Sequence, residues 1–566
     1  MKKINKTERI IDFFKTALIY ALTISMLYVA GLYINARQNY GQTEEIPLEK
    51  RRIFGKGGII DAVMDENHVN PVQITVTAEN KSVTSIYNDM LISIVYEDFK
   101  NAVSALFKLS ECIRLDKTEG EKIWKKCAGK ENSVYIRYAG NYIYPVLCAF
   151  LDESDEMAAI TAALAASDAS TTSAGDLAEV HELFIVDEDP VYGVAKDSNG
   201  NIAVFSPNEY LKKIIRHQIS THNLQAAYNK SAGGIPCKFL KDGDIRSETG
   251  INRNNIENLI FAEDFHLFYN YYNYNTSAVL SFLNPLLAYN DDINDTDETN
   301  NINKTNKIDI EKTYIKSLFG IFNFNAESAG HYPDSNSETF RDRQSTMKFV
   351  SDGQITYSYK PSDIYNITDK GGVHLSRFLW TDADSYTFYE KLTAASAFVN
   401  GLSKELAGGE ANLYLKDIKI GENQNLNITF SYYYNGTEIN INRHDYGIFI
   451  SMNDNSITDV IINSLYVASE PKIKNINPML ILSGFDGMIS EELKSLQDTE
   501  SIENMGNIEN IENPEDKNKG KAEIAGKYKI KYDNNQDKFI VNRIELIYNI
   551  NYSDGGNPVQ AEWIIR

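Results

Sequence analysis

Cysteine and tryptophan are scarce in this chain of 566 residues, with four and three copies, and histidine appears eight times. Four cysteines are too few for a disulfide scaffold. Their spacing, at Cys112, Cys127, Cys148 and Cys237, fits no metal-ligand pattern. Three pairings of four cysteines are possible in an oxidising compartment, and buried free thiols are the default expectation. Positive charge is also short. Lys and Arg number 56 against 78 Asp and Glu, a formal charge of −22. An excess of negative charge repels phosphate backbones and argues against nucleic-acid binding. Short catalytic signatures are missing as well. There is no H-E-x-x-H, no Walker A, no G-x-S-x-G and no Cys-x-x-Cys. Hydrophobic residues make up 43% and charged residues 24%. That balance excludes a wholly disordered chain or a polytopic membrane protein.

Long apolar runs are absent except for one. Thr16–Ile34 holds 19 residues without a charge, bounded by Lys15 and Arg37. At ~1.5 Å per residue a helix here spans about 28 Å, close to a bilayer's hydrocarbon core. It is too long for a signal-peptide core and no A-x-A site follows, so an uncleaved anchor is expected. Lys2, Lys3, Lys6 and Arg9 precede it. They favour a cytoplasmic tail (1–15), although Arg37, Lys50, Arg51 and Arg52 weaken the asymmetry. The remainder is then extracellular, in a single-pass protein of the cell membrane. Ala17, Ala21 and Ser25 recur every four residues and form a stripe on which a second membrane helix packs closely.

Beyond the anchor the pattern is α+β, with mostly antiparallel sheets and flanking helices. Residues 35–70 are a polar stalk. An N-terminal unit (71–225) opens with a strand at Pro71–Ala78. A helix is expected over Asp89–Leu109, another over Glu119–Cys127, and strands over Val134–Tyr138 and Tyr144–Phe150. A helix follows at Asp155–Ala169. Strands at His181–Asp187, Val191–Lys196 and Ile202–Ser206 are joined by turns, one at Asn199-Gly200. Asn208–Leu224 closes the unit as a helix. A middle unit (226–370) carries a polar loop, 291–307, and a hairpin through Asp352-Gly353. A C-terminal unit (371–566) has a helix at Tyr386–Leu406, several strands, and an insert (500–521) of disordered composition.

Chemistry is sparse. Ser345-Thr346-Met347-Lys348 matches the S-x-x-K of penicillin-recognising enzymes, but it runs into a strand signal. On a strand, residues i and i+3 face opposite ways, so Ser and Lys would not meet. His217 and His222 are five apart, the wrong spacing for two ligands on one helix face. The acidic run Asp291–Glu298 lacks the Gly and Glu of an EF-hand. Clusters such as Tyr269–Tyr274 and Tyr432–Tyr434 fit sheet packing better than sugar platforms. No catalytic residue, metal ligand or cofactor site is expected.

The layout resembles a known family. The residues that carry the likeness are PVQITV (Pro71–Val76), Trp124 in a helical pair, SVYIRY (Ser133–Tyr138) and the Pro145–Leu151 run. FVSDGQITY (Phe349–Tyr357) and the terminal PVQAEWII (Pro558–Ile565) complete it. In this order, behind one anchor, they are similar to the YycH family with its YycI-like C-terminal region. The resemblance implies a non-enzymatic accessory protein of the WalK/WalR two-component system of Gram-positive bacteria. Its partners would be a WalK-like sensor histidine kinase and a YycI-like protein, met partly through the membrane helix, in cell-wall homeostasis. The inserts 291–307 and 500–521 are not features of that family. The alternatives are a cell-wall hydrolase or transpeptidase, and an extracellular module binding wall polymer or another ligand.

Overall fold

A computed structural model describes residues 66–108, 110–151, 178–186, 192–231, 234–239, 313–342, 344–360, 372–379, 385–406, 411–420, 425–442 and 444–467. Shorter pieces lie at 259–261, 266–268, 277–280, 282–283, 286, 472–474, 485–495, 521–522, 524–525, 527, 531–533, 538–541, 544–550, 559–560 and 562–565. The architecture is α+β with mostly antiparallel sheets, as the alternating patterns imply.

The first sheet has nine strands. In chain order they are β1 (Pro71–Ala78), β2 (Lys81–Ile86), β3 (Glu111–Arg114), β4 (Ser133–Ile143), β5 (Glu179–Val186), β6 (Tyr192–Lys196), β7 (Ile202–Ser206), β8 (Ile235–Phe239) and β9 (His266–Phe268). Their spatial order is β9-β8-β2-β1-β4-β5-β6-β7-β3. Short turns set the pairing. Glu79 and Asn80 both adopt positive φ between β1 and β2, the two-residue geometry that matches strand twist. Between β6 and β7 the Asp197 carboxylate accepts the Asn199 and Asn201 N–H groups, and Gly200 turns the chain at φ 86°.

Several helices start where a side chain satisfies an open N–H group. Asn88 Oδ1 accepts the Leu91 N–H at 3.0 Å ahead of α1 (Asp89–Tyr96). Asp116 accepts the Glu119 N–H ahead of α3 (Lys117–Ala128), and Asn208 accepts the Leu211 N–H ahead of α5 (Glu209–Gln218). The periodic run 89–109 is two helices, α1 and α2 (Lys100–Lys108), with buried Phe99 in the turn between them. Likewise 208–224 divides at Ser220 into α5 and α6 (Thr221–Lys230). Tyr144–Phe150, expected as a strand, is a helix, α4 (Tyr144–Leu151). An unbroken apolar run has no period to separate the two states. Pro145 fits the first turn of a helix, and Val146–Phe150 are all buried.

The second sheet has twelve strands. They are β10 (Gly330–Pro333), β11 (Ser337–Arg341), β12 (Ser345–Val350), β13 (Gln354–Tyr359), β14 (Val373–His374), β15 (Asn412–Ile420), β16 (Leu426–Tyr434), β17 (Thr437–Ile441), β18 (Ile448–Met452), β19 (Ser456–Asn463), β20 (Ile544–Ile550) and β21 (Glu562–Ile565). The main path runs β10-β11-β12-β13-β19-β18-β16-β17-β20-β21; β14 pairs with β19 and β15 with β16. Every pairing is antiparallel except β17 with β20. The helices α7 (Thr313–Ile321) and α8 (Phe388–Leu406) pack on this part of the molecule, where Phe322 meets Tyr357 and Phe398.

Strand pairing crosses both expected unit boundaries. Cys237 pairs with Ser82 across position 225, and Ile355 pairs with Ile462 across position 370. Residues Ile60–Arg566 group as one unit. Several expected features fall outside the described residues: the anchor Thr16–Ile34 with its stripe, residues 35–65 of the stalk, the helix Asp155–Ala169, the loop 291–307, and residues 500–520 of the 500–521 insert. No described helix is long and apolar enough to cross a membrane.

Candidate functional site

Two constellations stand out, a polar ladder inside the first sheet and the seam where the first sheet meets the second.

The ladder follows from register. Gln73, Arg137, Glu182 and Lys196 stand opposite one another on β1, β4, β5 and β6. They lie on the sheet face away from Ile74, Ile136, Leu183 and Ala195. Arg137 Nε donates to Gln73 Oε1 at 3.1 Å, and Gln73 Nε2 donates to Thr84 Oγ1 at 3.2 Å. Lys196 Nζ lies 3.3 Å from Glu182 Oε2, which also accepts the Tyr135 hydroxyl at 3.1 Å. Lys196 Nζ sits 4.5 Å above the Trp124 ring on α3. Arg137 is 9% exposed and Gln73 4%. Polar groups this buried are tolerated because they answer one another. The arrangement fixes strand order; it holds no nucleophile next to a base.

The seam is made by strands that bulge toward each other. The register of β4 shifts between Arg137 and Tyr142, and that of β15 shifts between Leu415 and Asp417. Tyr142, fully buried, donates its hydroxyl to the Leu415 carbonyl and accepts the Gly140 N–H. A side chain on Gly140 would have its Cβ 2.4 Å from the Lys416 carbonyl oxygen, so only glycine allows this approach. His181 Nδ1 lies 3.0 Å from the Gly140 carbonyl. Tyr138 stacks edge-on against Tyr142 and reaches the Tyr96 hydroxyl of α1 at 3.3 Å. Val72 packs with Tyr414 and Tyr433 from the second sheet. His68, in the short helical turn Glu66–Val69, touches Phe150 of α4, Phe430 of β16 and Ser396 Oγ of α8.

Asp89 occupies one end of this seam. Asn412 Nδ2 donates to its Oδ2 at 2.9 Å, and the Tyr414 hydroxyl lies 3.5 Å from Oδ1. The backbones of Asn435 and Gly436, the β16–β17 turn, also reach the carboxylate. Burial pushes the Asp89 carboxyl above its ordinary range; Asn412, Gly436, Tyr414 and Asn435 offset part of that. Tyr87, two residues earlier, is held at φ 56°, a rare conformation for a bulky side chain.

The sequence motifs resolve plainly. Ser345 and Lys348 both lie on β12, Ser345 buried and Lys348 exposed, so the S-x-x-K pair is split across a sheet as expected. All four cysteines are free thiols. Burial raises Cys112 to about 11 and Cys127 to about 12, and raises Cys237 further. Among the described residues no group of three or more His, Cys, Asp or Glu is placed to hold a metal. Tyr432 and Tyr433 are buried in the sheet, whereas Tyr269–Tyr274 and the acidic run 291–298 lie outside the described residues, as do Ala17, Ala21 and Ser25. Sequence reading missed Asp89, Arg137, Gly140 and Tyr142. Arg137 did leave a signal, a lone charge inside the apolar SVYIRY strand; the others had none short of the tertiary pairing.

No family model matches the chain, and neither does a curated protein or a solved structure.

Proposed function

We propose that this protein is a membrane-anchored extracellular accessory protein that modulates a sensor histidine kinase by protein–protein contact. The single observation that supports it is the charge-free 19-residue segment Thr16–Ile34 leading into a large α+β body. The stripe Ala17, Ala21 and Ser25 is a surface for a second membrane helix. The first described turn, Glu66–Val69, is wedged between both sheets at His68. The polar ladder suits a protein that works by shape, because its charged groups are spent on one another. The YycH-like order of segments adds the class of partner, a WalK-like kinase, with a YycI-like protein as a further one.

Coupling of ~1–3 kcal/mol between anchor and kinase changes signalling several-fold. Replacing Ala17, Ala21 and Ser25 by Leu should remove that coupling in cells carrying a kinase-output reporter, while the ectodomain stays folded. Reporter output equal to wild type at equal protein level refutes the stripe's role. Swapping Thr16–Ile34 for an unrelated spanning helix tests the anchor as a whole by the same readout.

A further inference from the structure

One segment runs against the charge of the chain. Between Asp197 and Asp242 the sequence carries six Lys and Arg and a single acid, Glu209, in a protein of net charge −22. The helix α5 lies in this segment, and its two sides differ. Leu211 and Ile215 are buried, with Ile219 just beyond them, where α5 packs on α2. The other side faces outward and holds Tyr210, Lys213, Arg216 and His217, at i, i+3, i+6 and i+7. Tyr210 is 72% exposed. The one acid is already engaged, since Glu209 lies 2.6 Å from Lys212. Lys230 of α6 is held by Asp98 at 2.6 Å, whereas no ion pair among the described residues takes Lys213. A phenol beside cations on one outward helix face suits contact at the level of lipid headgroups. The ring sits at the boundary, and the ammonium and guanidinium groups reach phosphate.

We propose that the outer face of α5 docks on an anionic bilayer surface, with Tyr210 in the headgroup layer and Lys213 and Arg216 against lipid phosphates. The chain as a whole is acidic and is repelled by such a surface, so the charge distribution selects this face. An acidic peptide offers the same charge but no layer to take the exposed ring. The strength of the contact rests on the anchor reading. The 31 residues between Ile34 and Glu66 reach at most about 110 Å, so a body tied at Thr16–Ile34 stays near the membrane. A tether keeps the local concentration near the millimolar range. There two cations suffice, each raising affinity about five-fold. Docking fixes which side of the body is presented to a neighbouring membrane protein.

The test uses the full chain in nanodiscs of phosphatidylcholine, alone or with about one-third phosphatidylglycerol. Lysines are acetylated with a water-soluble reagent and read by mass spectrometry. Lys213 is expected to react about five-fold more slowly in the anionic discs, one cation's share of the attraction. The difference should vanish in about 0.5 M salt. Lys122 of α3, exposed on the helix that covers the other side of the first sheet, should react alike in both discs. In Tyr210→Ser/Arg216→Glu, with both changes on the exposed face, Lys213 should also react alike in both. Equal Lys213 rates in the two discs for wild type overturn the docking. So does protection in detergent by soluble poly(glycerol phosphate) or polyglutamate with none from the discs, because the face then binds a free polyanion. A chain that does not enter the discs refutes the anchor rather than the face. The same footprint with added vesicles of the two compositions then decides: protection by the anionic ones supports docking, and none refutes it.

Discussion

Gly140→Ala is the sharpest test of how the two sheets are joined. Gly140 is not among the residues with positive φ, so alanine suits its backbone and the effect is purely steric. The new Cβ would sit 2.4 Å from the Lys416 oxygen, 2.8 Å from the Leu415 oxygen and 2.5 Å from Tyr142 Cε1. Ordinary contact begins near 3.4 Å, so β15 must retreat by about 1 Å at Lys416. Overpacking of this sort costs ~1–3 kcal/mol. The retreat also pulls the Leu415 carbonyl from the Tyr142 hydroxyl, and losing a buried hydrogen bond adds ~1 kcal/mol. The alanine's lower chain entropy returns roughly 0.5 kcal/mol. A net loss of about 2–3 kcal/mol is expected. Tyr142→Phe alone should cost ~1–2 kcal/mol. The pair should be less than additive by about 1 kcal/mol, because alanine at 140 has already parted the strands that the hydroxyl bridges. Urea unfolding of the full chain, followed by hydrogen exchange in β4 and in β15 separately, measures both costs. A Gly140→Ala chain within ~0.5 kcal/mol of wild type, or strict additivity with Tyr142→Phe, would show that the bulges do not bear on one another.

Two further outcomes are expected. Arg137→Met removes the charged donor to Gln73 in the buried ladder and should cost ~1.5–3 kcal/mol in urea unfolding; no loss would mean the ladder contributes nothing net. Cys112, partly exposed yet with its thiol raised to about 11 from an ordinary 9.0, should react with iodoacetamide at neutral pH about 100-fold more slowly than an unperturbed thiol, and its rate should keep climbing as pH rises past 9.

Much of the local structure was legible in the residues. The β1 strand and the hairpins through Asn199-Gly200 and Asp352-Gly353 obey nearest-neighbour rules, where alternation and turn chemistry suffice. The splitting of Ser345 from Lys348 across β12 is the same rule applied to chemistry. Helical breaks were less legible. The runs at 89–109 and 208–224 keep a helical period through the turns at Glu97–Phe99 and at Ser220, so periodicity alone joins what the chain divides. Tyr144–Leu151 is apolar on all sides and took its state from the surroundings that bury it.

The sequence by itself determined the acidic balance, the single long apolar segment, the α+β character and the lack of familiar catalytic signatures. Those are properties of composition and of spacings under about ten residues. Only the tertiary structure decided that Arg137 faces Gln73 and Glu182, that Gly140 and Lys416 meet, and that Asp89 lies beside Asn412. Each of these contacts depends on strand register, and a slip of one residue would turn every partner to the opposite face. Asp89 and Asn412 stand 323 positions apart. No local pattern records such a pairing, because it is selected by the burial of whole sheets rather than by the residues that happen to meet there.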